Sequence, residues 1–449
     1  MIVRFTGENI LSFNKETEFN MLTGDIRRLP EHVFKFPKVE ILKSAIIYGA
    51  NGAGKSNLFA AISILRSAVL EGHIDIINPK SYFRLGKNEN KASTFEIEFI
   101  KDKVGYAYGL SIYKGVVKEE WLYVLHFGKK EDELIFERKS ISKGKESLKL
   151  SSKYTRSPKE KILVELYEEE LLKPNNLFIH LAKDKKFKEI TAAFQWFEDY
   201  MYFVFPKMGN LDFIKLFLDN NQFKVFLNET ISNFETGIKE IEVQSIPLNQ
   251  YFGEDNIPER DRILRAVYQG ETLPVGSFGN AIALLENGQP VVKKIISYHE
   301  NDHGELVEFD LSEESDGTLR LIDFIPLLYL LIAAPVTIFI DEVDQSIHPS
   351  LLKDFITKIQ QTPTRNGQII MTTHESNLLD LDLFRQDEIW LVEKNQKGES
   401  HFYPLSDFNI RPDLDVRKGY LSGRFGAIPL LANLKDLNWE KYAEAEQGV

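Results

Sequence analysis

The chain has 449 residues, of which 43% are hydrophobic, 12% aromatic and 27% charged. That is room for two or three domains of the usual ~100–200 residues, and it excludes intrinsic disorder and collagen-like structure. With 55 Lys+Arg against 67 Asp+Glu the net charge is −12, so a dedicated non-specific DNA-binding surface, which needs a basic footprint, is not expected. There is no cysteine, which rules out a disulfide framework, Cys-ligated zinc and thiol catalysis, and fits a cytoplasmic location.

The first residues, Met1-Ile-Val-Arg-Phe-Thr-Gly-Glu, meet charge too early for a signal peptide. The run Ala45-Ile46-Ile47-Tyr48 reads as a strand buried on both faces. A Gly-rich segment, Gly49 to Ser56, follows it, and then apolar residues at helical spacing from Asn57 to Val69. From Thr94 to about Phe136 the pattern becomes alternation (Phe95, Ile97, Phe99; Tyr106, Tyr108, Leu110, Ile112), which predicts antiparallel strands. Residues from about 157 to 240 read as helices whose spacing does not sustain heptads, so no long coiled-coil arm is expected. The longest apolar stretch, Phe324–Ile340, falls short of the ~20 residues of a membrane helix. Pro335 divides it into the end of a helix and a buried strand. Strand-like runs at Thr337–Ile340, Gln368–Thr372 and Glu388–Val392, with helical segments between the first two, predict a parallel sheet with covering helices.

Gly49-Ala50-Asn51-Gly52-Ala53-Gly54-Lys55-Ser56 fits G-x-x-x-x-G-K-[ST] at every fixed position. Backbone N–H groups from Asn51 to Asn57 would face phosphate oxygens at a helix N-terminus. Lys55 would reach the β- and γ-phosphates, and the Ser56 hydroxyl would coordinate Mg²⁺. Thr337-Ile338-Phe339-Ile340-Asp341-Glu342 supplies the second strand that such a site needs. Asp341 would hold Mg²⁺ directly or through water, and Glu342 would polarise the attacking water. The guanine motif Asn-Lys-x-Asp is absent (Asn14-Lys15-Glu16-Thr17 and Asn90-Lys91-Ala92-Ser93 do not complete it), so ATP is expected.

On these residues the chain resembles an ABC-type ATPase head of the group that includes SMC proteins and OLD-family ATPases. Ser315-Asp316-Gly317-Thr318, on its own no more than a helix-capping turn, is similar to that group's Ser-x-Gly signature. Asp344 falls at its D-loop, and Met371-Thr372-Thr373-His374 ends where it places a switch histidine that senses the γ-phosphate. The resemblance implies an α/β P-loop NTPase fold, a mixed sheet with an antiparallel lobe and a helical insertion. It also implies a homodimer or higher oligomer in which Ser315 and Gly317 of one protomer cap ATP held by the P-loop of another. Asn9-Ile10-Leu11-Ser12-Phe13 is similar to the strand that opens these heads and implies at most a contact near the nucleotide. No Gln lies between Asn57 and Leu150, so the group's Q-loop glutamine has no counterpart there.

Two longer segments, Asp341 to Pro349 and Tyr420 to Pro429, resemble bacterial AAA/ABC-type ATPases of abortive-infection phage defence, of the AbiLi and RloA kind and the ATPase of PARIS systems. That resemblance covers roughly the first 60 residues and the last 140. It implies a sensor that controls a separate effector subunit, a TOPRIM-like nuclease or a toxin. An SMC-like DNA-processing ATPase or clamp is the alternative, and a transporter ATPase subunit a third. The expected segments are 1–150 (head lobe with the P-loop), 151–290 (mainly helical insertion) and 291–449 (head lobe with signature, carboxylates and histidine).

Three patterns read as bystanders. His299-Glu300-Asn301-Asp302-His303 matches H-E-x-x-H but lies between strand-like flanks, whereas zinc needs both histidines on one helix face. Asp380-Leu381-Asp382 reads as a loop after the switch histidine, with too few residues remaining for another ~100-residue domain. Lys183 to Lys188 reads as a solvated helix face.

Overall fold

The structure is a computed structural model. It describes residues 1–428 except 129, 143–144, 185–186, 207–210, 235, 254–256, 277–279 and 412–413. Pro429, Lys185 and Lys186 therefore lie outside the described residues.

A six-stranded sheet carries the motifs, in the order Met201–Val204, Thr337–Ile340, Gln368–Thr372, Ser44–Gly49, Ile389–Lys394, Ser400–Pro404. The first five run parallel and the last antiparallel. Its central strands are buried on both faces, so successive residues enter two different cores. Ala45, Ile47, Phe339 and Ile370 pack on one side with helix Lys55–Glu71. Ile46, Tyr48, Ile338, Ile340 and Met371 pack on the other with helices Asp316–Ala333 and Pro349–Gln360. Pro335 stands between the end of helix Asp316–Ala333 and the strand, as expected.

Beside this sheet lies a seven-stranded antiparallel one, in the order Lys145–Leu150, Glu133–Ser142, Val116–Leu125, Val104–Tyr113, Ser93–Lys101, Ile2–Glu8, Thr17–Asn20. Its alternating Phe95, Ile97 and Phe99 join the core around helix Lys55–Glu71. Trp196 of helix Lys188–Asp199 stacks on Phe99 with ring centroids 4.0 Å apart.

The segment read as helical departs from that reading in two places. Met201–Val204 is a strand, recruited to the edge of the parallel sheet by in-register pairing with Thr337–Ile340. From Ile238 onward the chain builds a five-stranded antiparallel sheet of Ile238–Pro247, Gln289–Glu300, Ala281–Glu286 and Leu273–Val275, with Leu306–Asp310 paired to the end of Gln289–Glu300. Helices Leu211–Asp219 and Asn221–Ser232 cover one cluster of its core, which also takes in Ile322 and Ile325 of helix Asp316–Ala333. Among the described residues no helix is long and apolar enough to cross a membrane.

Candidate functional site

The loop after strand Ser44–Gly49 is shaped by its glycines. Gly52 has φ 76° and no atom within 4 Å of where a Cβ would stand, so the backbone there borders open space. Gly54 has φ 109°, and a Cβ on it would lie 2.1 Å from Ser400 Oγ and 2.8 Å from Ser12 Oγ. The reason is that the underside of the loop is tied to distant chain. Ser400 Oγ donates to the Ala53 carbonyl (2.6 Å) and accepts from Ser12 Oγ (2.8 Å), and Asn57 Nδ2 donates to Ser12 Oγ (2.8 Å). Ser12 is thus a prop beneath the loop, and Ser400 is a residue that no motif in the sequence signalled.

Lys55 opens the helix with 5% of its surface exposed. Its Nζ donates to the Gly49 carbonyl (2.9 Å) and lies 3.0 Å from His374 Nε2. Burial lowers its pKa to about 8, against the pull of Asp341, Asp344 and Glu342. Burial and then Lys55 push His374 down as well, favouring the neutral ring that accepts from the ammonium. Ser56 Oγ donates to Asp341 Oδ1 (3.1 Å), which also accepts from Thr372 Oγ1 (2.6 Å). Asp344 Oδ1 accepts from Thr373 Oγ1 (2.8 Å) and from the His374 N–H (3.2 Å). Lys55, Ser56, Asp341, Asp344 and His374, contributed by three parallel strands, therefore meet at one end of the sheet, on the carboxyl side of the strands, where open α/β sheets bind ligands.

Glu342 stands at the same turn with φ 49°, a left-handed conformation unusual for a non-glycine residue. Its N–H donates to Thr372 Oγ1 (2.8 Å). Arg320, buried in helix Asp316–Ala333 over the ring of Phe324, donates to the Asp341 carbonyl (3.0 Å) and the Glu342 carbonyl (3.4 Å). Arg320 too went unread in the sequence, since a single Arg inside an apolar helix has no spacing rule.

Ser315 caps that helix, its Oγ accepting the Thr318 N–H (3.1 Å). Gly317 approaches the loop after Glu342 so closely that a Cβ would lie 2.7 Å from the Ser346 carbonyl oxygen. Ser315 and Asp316 are exposed.

The donors fit a magnesium nucleotide. A hydroxyl and a carboxylate oxygen stand together beside an open glycine cradle, the hard-oxygen set that Mg²⁺ takes alongside phosphate oxygens. Among the described residues no group of three or more His, Asp or Glu could hold a metal by itself. In the H-E-x-x-H segment, His299 and Glu300 end a strand and Asn301–Gly304 is a turn, so the two histidines share no helix face. Asp380 pairs with Lys353 (3.0 Å) and Asp382 with Arg28.

Among solved structures the chain is similar to an SMC head bound to the C-winged helix domain of ScpA (14% identity, covering 90% of this chain and 97% of that one, TM-score 0.42). It is also similar to an SMC head domain from Thermotoga maritima (13% identity, 90% and 98%, TM-score 0.35). No curated protein matches it. The family model described as "AAA domain, putative AbiEii toxin, Type IV TA system" matches residues 44–380, a span that runs from the strand before the phosphate loop past His374. The chain is a P-loop ATPase in fold and belongs to that AAA family.

Proposed function

We propose that the protein binds ATP with Mg²⁺ and hydrolyses it in a head-to-tail dimer, and that this cycle controls a separate effector, a nuclease or toxin, in defence against phage. The observation that carries the ATPase reading is the convergence of Lys55, Ser56, Asp341, Glu342 and His374 at one sheet end beside the open Gly52 cradle.

In this reading Asn51 to Asn57 bind the phosphates through backbone N–H groups, and Lys55 turns from the Gly49 carbonyl toward them. Ser56 and Asp341 would hold Mg²⁺, which when bound neutralises phosphate charge. Glu342, kept in its left-handed turn by Thr372 and Arg320, orients the attacking water. His374 gives up Lys55 and meets the terminal phosphate. Ser315, exposed at a helix N-terminus, and Gly317 of the same turn complete the anion site of a second copy, and Asp344 lies near that junction. Residues 1–150 and 291–449 then form the head and 151–290 an insertion, whose antiparallel sheet runs on past 290 through Gln289–Glu300 and Leu306–Asp310 and from which Met201–Val204 returns to the head sheet.

Mixed dimers test it. Ser315→Arg should keep its own phosphate loop yet block the site of its neighbour. Lys55→Ala should do the reverse. Each variant alone should be inactive, and mixing them should restore some ATPase activity, because one composite site carries both defects and the other neither. Full activity of Ser315→Arg alone would remove Ser315 to Thr318 from the site. Pull-down of the wild-type protein separates the downstream roles: a nuclease or toxin supports effector control, whereas DNA supports an SMC-like clamp.

A further inference from the structure

The residue before the signature serine has partners that its own helix does not supply. Glu314, with a side chain 7% exposed, accepts through Oε1 from Ser297 Oγ (2.7 Å) and contacts His299 Nε2 (2.7 Å). Both partners belong to strand Gln289–Glu300, the long central strand of the insertion sheet. The His299 ring also packs edge-on against Phe309, with centroids 4.8 Å apart. The segment between is pinned at each end: Asp310 and Glu313 form a reciprocal cap, Leu311 is buried in the sheet's core, and Ser315 begins the helix.

A short linker fixed in this way transmits displacement, because it has no slack to absorb it. A shift of Gln289–Glu300 must move Glu314, and Glu314 is bonded directly to Ser315. Two carboxylate bonds converge on one buried oxygen, so the joint is stiff where a solvated ion pair would not be.

We propose that Glu314 is a positioning residue, through which Ser297 and His299 of the insertion sheet set the placement of Ser315 toward the nucleotide of a second copy. This rests on the reading that Ser315 acts in trans. It gives the insertion sheet a defined point of entry to the ATP site: an effector or trigger bound to the sheet would change hydrolysis through the signature while leaving the phosphate loop alone. His299, part of the unused H-E-x-x-H pattern, is the partly exposed end of that joint.

The test uses full-length His299→Ala, Glu314→Ala and His299→Gln with Mg²⁺-ATP. His299→Ala and Glu314→Ala should lower kcat about tenfold, the scale of losing one hydrogen bond to a charged group, with nucleotide affinity unchanged. His299→Gln keeps an N–H donor and should recover most of the loss. Mixing either alanine variant with Lys55→Ala should raise activity, as it does for Ser315→Arg, which a general packing defect would not do. His299 is partly exposed, so its variant remains informative if Glu314→Ala fails to fold. Wild-type kcat in His299→Ala, affinity falling in step with kcat, or no gain on mixing where Ser315→Arg shows one, would each overturn the positioning role alone. Full activity of Ser315→Arg would remove the trans reading and this inference with it.

Discussion

Two clusters of charged side chains, one in the seven-stranded sheet and one at the end of the parallel sheet, differ in closure. In the first, the Arg138, Glu120 and Glu146 side chains are at most 1% exposed. Arg138 donates to Glu146 Oε2 (3.1 Å) and to the carbonyls of Lys173 (2.6 Å) and Asn176. Glu120 accepts the N–H groups of Phe178 (2.7 Å) and Ile179 (3.0 Å) and the Tyr108 hydroxyl (3.2 Å). Arg138 and Glu120 hold segment 173–179 to the sheet, and Glu146 is taken up by Arg138 and the Ser140 hydroxyl. In the second cluster Lys55 is held by the carbonyls of Gly49 and Ala50 and by His374, Glu342 is half-buried in a left-handed turn, and Ser56 and His374 are exposed. A closed cluster fixes structure, and an open one with exchangeable partners can take a ligand.

Substitutions that probe the open cluster should change activity and leave stability nearly untouched, and the closed cluster should behave in the opposite way. The largest effect is expected for Glu342→Gln. Losing the carboxylate that orients water should lower kcat by about a thousandfold, while ATP stays bound and the dimer persists on gel filtration. Wild-type turnover would move the role to Asp344. Next, Arg138→Met leaves Glu120 and Glu146 buried without their cation and should cost about 3 kcal/mol of stability in a urea titration, with unchanged nucleotide affinity in the folded fraction. A loss of affinity in that variant would blur the contrast between the two clusters.

Lys55→Ala comes third, with nucleotide binding by equilibrium dialysis expected to weaken about a hundredfold as a charged phosphate contact disappears. Binding as tight as wild type would refute the phosphate-loop assignment. The smallest effect concerns pH. Burial has already lowered Lys55 to about 8, so its ammonium costs folding stability below that value, a cost relieved as pH rises toward its unfolded pKa. Phosphate needs the ammonium, so ATP affinity should fall about tenfold between pH 7 and 9. That slope should vanish in Lys55→Ala, and its persistence there would assign it to another group.

Much of the open cluster was legible because phosphate chemistry constrains consecutive residues. Gly49 to Ser56 and Thr337 to Glu342 announce themselves by spacing, and the strands that carry them stand out because burial on both faces demands unbroken apolar runs. The closed cluster was not legible, since Glu120, Arg138 and Glu146 look like ordinary outward residues of alternating strands until segment 173–179 covers them. Met201–Val204 was misread for a related reason. It continues a run with helical apolar spacing, and only pairing with Thr337–Ile340 favours the extended form.

The sequence by itself determined the phosphate loop, the acidic strand end, the histidine and their order, because each depends on residues adjacent in the chain. Tertiary structure alone decided what supports them. Ser400 reaches the loop from far along the chain to bond the Ala53 carbonyl and Ser12. Arg320 steadies the Glu342 turn from another helix, and His299 meets Glu314 across the insertion sheet. These contacts join residues apart in sequence, where no periodicity or motif records proximity, and they exist only once the helices, strands and loops that carry them have packed together.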